Sequence, residues 1–327
     1  MTSPTSGPQP DTVVVLTRED DQTGDMVVHE LHSRALPVFQ FDTADFPLSL
    51  TLNSHFDGVW HGALHGPDGS VALESIRSVY FRRPTEFVFP DGMTDVERQF
   101  AGREARRGIG GLLMSLPCLW LNHPSRVADA EYKPFQLATA AACGLDVPRT
   151  ALTNDPTATD NIRAHLGSDI VYKTLASAPV IDGSQLSFVY TTSVVPDFVT
   201  DERIALTVHQ FQERIHKARD IRATVVGDRI LATNLYVDAP KGGLDWRTNY
   251  SAIRYEETRL PPPVESALLA LVRRLGLRFS AADFVVTPDD RYYFVDLNPN
   301  GEWGWIEKET RLPIAAAIAE LLAERQE

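Results

Sequence analysis

The sequence predicts a mixed α+β protein whose N-terminal third has α/β character. Three observations carry this. The chain opens on a strand pattern, a helical pattern and a second strand (residues 12–17, 25–34 and 38–41), which make one strand–helix–strand unit. A long proline-free helical pattern over 94–116 then precedes a short apolar run over 118–122. Consecutive strand patterns occupy 49–82 and again 209–237.

Taken in order, 12–17 (TVVVLT) reads as a buried strand. In the 49–82 stretch, Gly66-Pro67-Asp68-Gly69 marks a hairpin turn, and the run ending at Arg82 stops before Pro84. Pro124 stops the 118–122 strand. Composition then changes: residues 128–143 are Ala-rich and helical, closed by Gly144. A strand over 149–153 leads to a helix over 155–166, capped by Asn154 or Asp155, and a strand over 169–174. Residues 177–187, with Pro179 and Gly183, read as a mobile loop between strands. Three strands follow at 209–215, 220–226 and 229–237, the last two joined by Gly227-Asp228. A Gly-containing loop covers 238–249. Residues 262–275 form a helix closed by Gly276, 279–287 and 292–297 a hairpin, and 313–325 a final helix. There is no internal repeat. The expected division is a disordered tail (1–11), an N-terminal domain (12–125), a central unit (126–207) and a C-terminal unit (208–327).

At 327 residues the chain is too long for one small core and suits two or three sub-domains. Its 43% hydrophobic and 23% charged residues exclude a disordered chain, a collagen-like fibre and a coiled coil. No run approaches the roughly 18 apolar residues of a membrane helix. The first ten residues lack a signal peptide's basic start and apolar stretch, so a cytoplasmic protein without membrane association is expected. A net charge of −13 argues against sequence-independent binding to nucleic acid and permits a basic partner. Cys118 and Cys143 have no motif spacing and read as buried thiols in a reducing compartment. The histidines form no metal-binding set.

Of the 31 basic residues only five are lysine: Lys133, Lys173, Lys217, Lys241 and Lys308. Where Arg is used so freely, a retained Lys points to a need for a compact ammonium, although each could equally be a surface residue. Lys133 opens the Ala-rich helix and Lys173 ends a strand, so each could reach a phosphate.

The strongest local signal is Asp283 followed by Asp296-Leu297-Asn298-Pro299-Asn300-Gly301. Asp296 and Asn298, two apart on a strand, share a face. Asp283 lies in the preceding strand of the hairpin. Two carboxylates and an amide oxygen suit a hard cation such as magnesium, while the same residues also suit a plain turn with an Asx cap. A second signal is Asp220 and Arg222, on one strand face: Arg222 can hold a phosphate bidentately or form a cross-strand ion pair. There is no P-loop, dinucleotide fingerprint or hydrolase elbow.

In this order the signals resemble the ATP-grasp superfamily. Asp283 with Asp296-x-Asn298 resembles its metal triad, and Lys133 and Lys173 fall where its phosphate lysines would be. Gln212-Glu213-Arg214-Ile215 resembles its adenine-pairing hinge. The run from Asp220 through Arg222 to Gly227-Asp228 resembles its peptide- and glutamate-ligase branch. SVYFRRP (78–84), Asp245-Trp246-Arg247 and NPNGEWGWIE (298–307) are similar to the maturases of ribosomally made peptides, the microviridin-type or graspetide ligases. The Arg- and Ala-rich composition resembles their actinobacterial members. One departure is Asp296, where the family usually has Glu.

The resemblance implies an ATP-grasp fold behind an α/β pre-ATP-grasp domain, with ATP and Mg2+ as cofactors. It implies activation of Asp or Glu side chains of a precursor peptide as acyl phosphates, then ester or amide ring closure. Asp283, Asp296 and Asn298 would hold magnesium. Lys133, Lys173 and Arg222 would meet phosphate oxygens, Asp220 the ribose, and Gln212, Glu213 and Ile215 the adenine. Arg247, Asn249 and Asn300 would address the substrate carboxylate, and the 177–187 loop would close over the phosphates. The expected partners are a precursor peptide with a leader segment and a second copy of the chain as a homodimer. No general base stands out: Glu302, Glu307 and His216 qualify only by their place in the sequence. Trp303 and Trp305 read as core, and Arg82 and Arg83 as either substrate contacts or strand-end caps. Two competing readings stay open: a ligase adding a free amino acid to a carboxylate, and a non-catalytic peptide-binding module.

Overall fold

The structure is a computed structural model that describes residues 11–176, 180–182, 185–187, 189–194, 202–237 and 243–324. The tail over 1–10, part of the 177–187 loop and the start of the 238–249 loop lie outside the described residues.

Strand β1 (Thr12–Thr17) is followed by α1 (Gln22–Ser33) and β2 (Val38–Phe41), which pairs parallel to β1. The expected strand–helix–strand unit is therefore present. The helix starts three residues early because Gly24 fits inside its first turn, where a Cβ would crowd the Asp21 carboxylate. Strands β3 (Thr51–Phe56), β4 (Trp60–Gly66) and β5 (Gly69–Ala72) form an antiparallel meander, with Gly66 facing Gly69 across the anticipated turn. Strand β6 (Ile76–Arg83) returns beside β1. Helix α2 (Asp95–Met114) begins with a capping box between Thr94 and Glu97. Strand β7 (Leu119–Leu121) completes the parallel sheet β2-β1-β6-β7.

The single Ala-rich helix expected over 128–143 is two helices, α3 (Pro124–Ala130) and α4 (Lys133–Ala142). Pro134 lacks the N–H that a continuous helix would give the Ala130 carbonyl. Gln136 Nε2 donates to that carbonyl instead. Strand β8 (Thr150–Thr153) precedes α5 (Thr159–Leu166), which starts four residues later than expected. Asp155 accepts from the Thr157 backbone at 2.8 Å and hydroxyl at 2.7 Å, and this local turn competes with the helix. Strand β9 (Ile170–Lys173) follows, then β10 (Val180–Asp182) and β11 (Gln185–Ser187). These last two pair as a hairpin within the stretch expected to be loop. Strands β12 (Thr192–Ser193) and β13 (His209–Glu213) close an antiparallel sheet of order β12-β9-β13-β8.

The largest sheet contains β14 (Arg219–Val226), β15 (Arg229–Val237) and β16 (Ile253–Thr258), then, after α6 (Pro262–Arg274), β17 (Phe279–Val286) and β18 (Tyr292–Asn298). Its order is β16-β15-β14-β17-β18, antiparallel throughout. The edge strand β16 and the short α7 (Gly304–Thr310) went unrecognised in the sequence. Helix α8 (Ile314–Ala323) packs back onto the N-terminal sheet, burying Ile314, Ile318 and Leu322 with Val13, Val15 and Leu31. A second core fills the space between α6 and the large sheet, a third lies under α2, and a small one lies under α5. Among the described residues no helix is long and apolar enough to cross a membrane. Cys118 is buried and Cys143 half-buried, both as free thiols.

Two residues fix how the sheets meet. Asn122, at the exit of β7, is 1% exposed. Its amide donates to the carbonyls of Phe279 and Pro299, both at 2.8 Å, and accepts from the backbone N–H of Arg278 and Phe279. All four bonding positions of the side chain are used. Gly301 closes the turn after β18, where a Cβ would overlap that of Ala281 and lie 2.9 Å from Arg222 Nη2. Asn122→Ala would strand three buried backbone groups and the part-buried Arg278 N–H, and is expected to cost about 3 kcal/mol or more, read from the denaturant midpoint. Gly301→Ala is expected to lower Tm, because relief of the overlap must shift the turn off Ala281 and Arg222.

Candidate active site

A row of charged side chains crosses one face of the large sheet. Register places Arg222 of β14 opposite Asp283 of β17, and Asp283 opposite Asp296 of β18. Arg222 Nη1 donates to both Asp283 carboxylate oxygens at 2.9 Å. Its Nη2 donates to the Glu302 carbonyl at 3.1 Å. The sequence left Arg222 as a phosphate ligand or a cross-strand ion pair; the structure shows the ion pair, with Arg222 buried. Asp296 takes Lys133, which reaches it from the first turn of α4. Gln136, one turn on, pairs both ways with the Leu297 backbone, donating at 2.8 Å and accepting at 3.1 Å. The Lys133–Gln136 spacing puts both on one helix face, a signal present in the sequence but passed over.

A shift of register between Asp283 and Phe284 leaves Val295 as a bulge in β18. Its carbonyl accepts from Lys173 Nζ at 3.0 Å, which brings that lysine beside Asp296. Burial lowers the Lys173 ammonium below its ordinary value, against the pull of Asp296. Burial alone would raise the Asp296 carboxyl, but Lys133 and Lys173 outweigh it and hold it down at about 2. Asp283 goes the other way: burial raises it in spite of Arg222. Asn298 lies beside them in register with Ala281, its amide oxygen accepting from the Asn300 N–H at 3.0 Å. The sequence-predicted trio is thus assembled on one face. Among the described residues no three His, Cys, Asp or Glu side chains have metal-binding geometry. Here the donors are two carboxylates and an amide, all oxygen, a set that fits a hard cation.

Two cavities adjoin this row. Gln212, Glu213, Ile215 and Asp220 line the first, between the two antiparallel sheets. Lys133, Arg222 and Asn298 line the second, and Lys173, Arg247, Asp283 and Asp296 border both. In the first cavity, Gln212 Nε2 donates to Thr150 Oγ1 at 2.9 Å. Glu213 is held by Arg149 through its backbone N–H and guanidinium, both at 2.8 Å. Asp220 accepts from Lys217 at 2.6 Å, and burial pushes its carboxyl up to about 6 even so. Arg247 is gripped by Asp245, Nε at 2.8 Å and Nη2 at 2.6 Å, which fixes the plane of its guanidinium at the junction. Asp245 and Lys217 received no role from the sequence, although both lie within three residues of ones that did.

Two expected residues line neither cavity. Asn249 is exposed, accepts from Ser251, and lines neither cavity. Asn300 also lines neither; its carbonyl accepts from Arg82 at 3.0 Å, which makes it part of the turn's scaffold. Of the base candidates, Glu307 accepts from the Ala315 N–H at the start of α8, and His216 is exposed and pairs with Asp169. Glu302 faces the second cavity in contact with Arg82 and Arg83. Trp303 is fully buried, in accord with its core reading, whereas Trp305 borders the second cavity.

Residues 12–128 match the family model described as the MvdD pre-ATP grasp domain. Over 95% of its length the chain superposes, with a TM-score of 0.82 and 29% identity, on 99% of the macrocyclase MdnC of Microcystis aeruginosa, solved with precursor peptide MdnA. The chain has the ATP-grasp fold behind a pre-ATP-grasp domain. A RiPP-associated ATP-grasp ligase of Chryseobacterium gregarium, solved with ADP and a leader and core peptide, gives a TM-score of 0.86 at 27% identity, over 96% of this chain and 98% of that one. A curated D-alanine–D-alanine ligase of Aromatoleum aromaticum is 31% identical over 170 residues, 48% of this chain. The chain spans about half the length of that curated relative, 52%.

Asp296 gives a pH prediction. Its carboxyl falls from 3.8 to about 2 on folding, so the stability it contributes is complete above about pH 4 and is lost as pH falls through 2. Asp296→Asn should cost about 2 kcal/mol near neutrality and flatten the acid limb of Tm against pH between about 4 and 2.

Proposed function

We propose that the protein is an ADP-forming ligase of ribosomal precursor peptides. It activates Asp or Glu side-chain carboxylates as acyl phosphates and closes ester or amide rings. The observation that carries this is the junction of the two cavities, where Lys173, Arg247, Asp283 and Asp296 converge, with Arg222 and Lys133 alongside. A nucleotide in the first cavity and a carboxylate in the second would place the transferred group among four cations, and phosphoryl transfer needs chiefly such positioning and charge stabilisation. The precursor peptides bound by the macrocyclase and the RiPP-associated ligase, and the ADP bound by the latter, support the assignment.

ATP supplies the phosphoryl group, and Mg2+ neutralises its charge when bound. Asp283, Asp296 and Asn298 would hold the metal, and a cation there would favour the charged form of Asp283 that burial disfavours. Lys133, Lys173 and Arg222 bind phosphate oxygens in this reading. Asp220 accepts from ribose, while Gln212, Glu213 and Ile215 meet the adenine. Arg247, fixed by Asp245, orients the substrate carboxylate. A carboxylate oxygen attacks phosphorus and ADP leaves. A peptide hydroxyl or amine then attacks the acyl carbon and phosphate leaves, so the peptide loses one water per ring. The proposal includes unit boundaries near residues 125 and 207, a homodimer and a cytoplasmic setting.

The D-alanine–D-alanine ligase match favours a second reading, ligation of a free amino acid to a carboxylate. Mass spectrometry of the peptide encoded beside the gene, incubated with protein, ATP and Mg2+, separates the two. Loss of about one water mass per ring is expected; gain of an amino-acid residue mass would reverse the assignment. Asp283→Asn should abolish ADP formation, whereas a pure binding module would be unaffected.

A further inference from the structure

The N-terminal domain sends one charged side chain into the second cavity, and the reaction sketched above gives it no role. Against β1, strand β6 pairs Phe81 with Leu16 but Arg83 with Thr17, so Arg82 is the extra residue of a bulge. A bulge re-aims the side chains on either side of it. Arg82 turns inward: its side chain is 1% exposed, and it meets Glu302, Asp21 and the Asn300 carbonyl. Arg83 stays 37% exposed at the cavity wall, its Nη1 2.8 Å from Glu302 Oε1. Glu302 is braced from the far side by Thr23 Oγ1 of α1 at 3.0 Å. Its own backbone carbonyl takes Arg222 Nη2, so one residue holds a guanidinium on each side of the cavity floor. Among the described residues that line this cavity, Arg83, Lys133, Lys173, Arg222 and Arg247 stand against Asp283, Asp296 and Glu302. In a protein of net charge −13, that local excess of cations marks an anion-binding chamber.

We propose that Arg83 is a specificity-determining residue that binds a second carboxylate of an acidic peptide substrate, with Glu302 as its positioning residue. The inference rests on the peptide-ligase reading and deepens it. Arg247 serves the carboxylate being activated, and Arg83 reads a neighbouring one, which sets which acidic side chain reaches the junction. Arg is suited to this because its planar fork can keep Glu302 on one edge and present another to the ligand.

The test measures ADP release driven by the acidic peptide encoded beside the gene, together with ADP affinity by calorimetry and Tm, for wild type, R83M, R83K, E302Q and R83M/E302Q. R83M is expected to raise the peptide KM on the order of tenfold to a hundredfold, the worth of a lost charge-assisted hydrogen bond, with kcat less affected and ADP affinity unchanged. R83K should recover part of the loss. E302Q should shift KM in the same direction, and the double variant should be no worse than R83M. An R83M protein with wild-type KM and only a lowered Tm would show a domain strut and overturn the assignment of Arg83 alone. ADP release by the wild type that ignores the peptide would overturn the peptide-ligase reading as well.

Discussion

The site depends on a largely buried row of charges in which two cations flank two carboxylates: Arg222, Asp283, Asp296 and Lys133, carried on three adjacent strands and one helix. Taking such charges out of water costs several kcal/mol each unless every one meets an opposite charge at hydrogen-bonding distance. The sheet register supplies that meeting. Arg222 has its bidentate carboxylate, Asp296 has two lysines, and Asp283 is the member for which burial outweighs its partner. In the proposed reaction a lysine or arginine now on a carboxylate would turn to a phosphate, and the carboxylate it leaves would turn to a cation.

Much of the surrounding structure keeps the row in place. Asn122 ties the exit of the parallel sheet to the beginning of β17 and to the turn beyond β18. Gly301 lets that turn lie against Ala281 and Arg222. Asp245 locks Arg247 with both oxygens, and Oδ2 also accepts from the Thr191 N–H at 3.2 Å, so the arginine at the junction is anchored to the segment leading into β12. These contacts join elements far apart in sequence, which is why the domains meet at the cavities.

What could be read in the sequence follows the range of the interaction. Strand alternation fixed the shared face of Asp296 and Asn298, because that is arithmetic within one strand. The scarcity of lysine was informative: Lys133, Lys173 and Lys217 all line the cavities, while Lys308 is exposed on α7. The partner of Arg222 was not legible, since it depends on register between strands 61 residues apart. Asn249 and Asn300 were placed at the site by motif position; in the structure Asn249 accepts from Ser251, and the Asn300 N–H donates to Asn298. The break between α3 and α4 was written in Pro134, but its consequence, a glutamine freed to serve another strand, needed the third dimension.

That glutamine bears on how other chains can approach. Strand β18 is an outer strand of the large sheet, and an unpaired outer strand is a template for adding another. Here its outward backbone groups are already spoken for. The Phe294 N–H goes to the Asp146 carbonyl at 2.8 Å, the Val295 carbonyl to Lys173, and both Leu297 groups to Gln136. The side chains that build the chemistry thus also seal the sheet beside it. Along this stretch β18 offers those groups to no added strand.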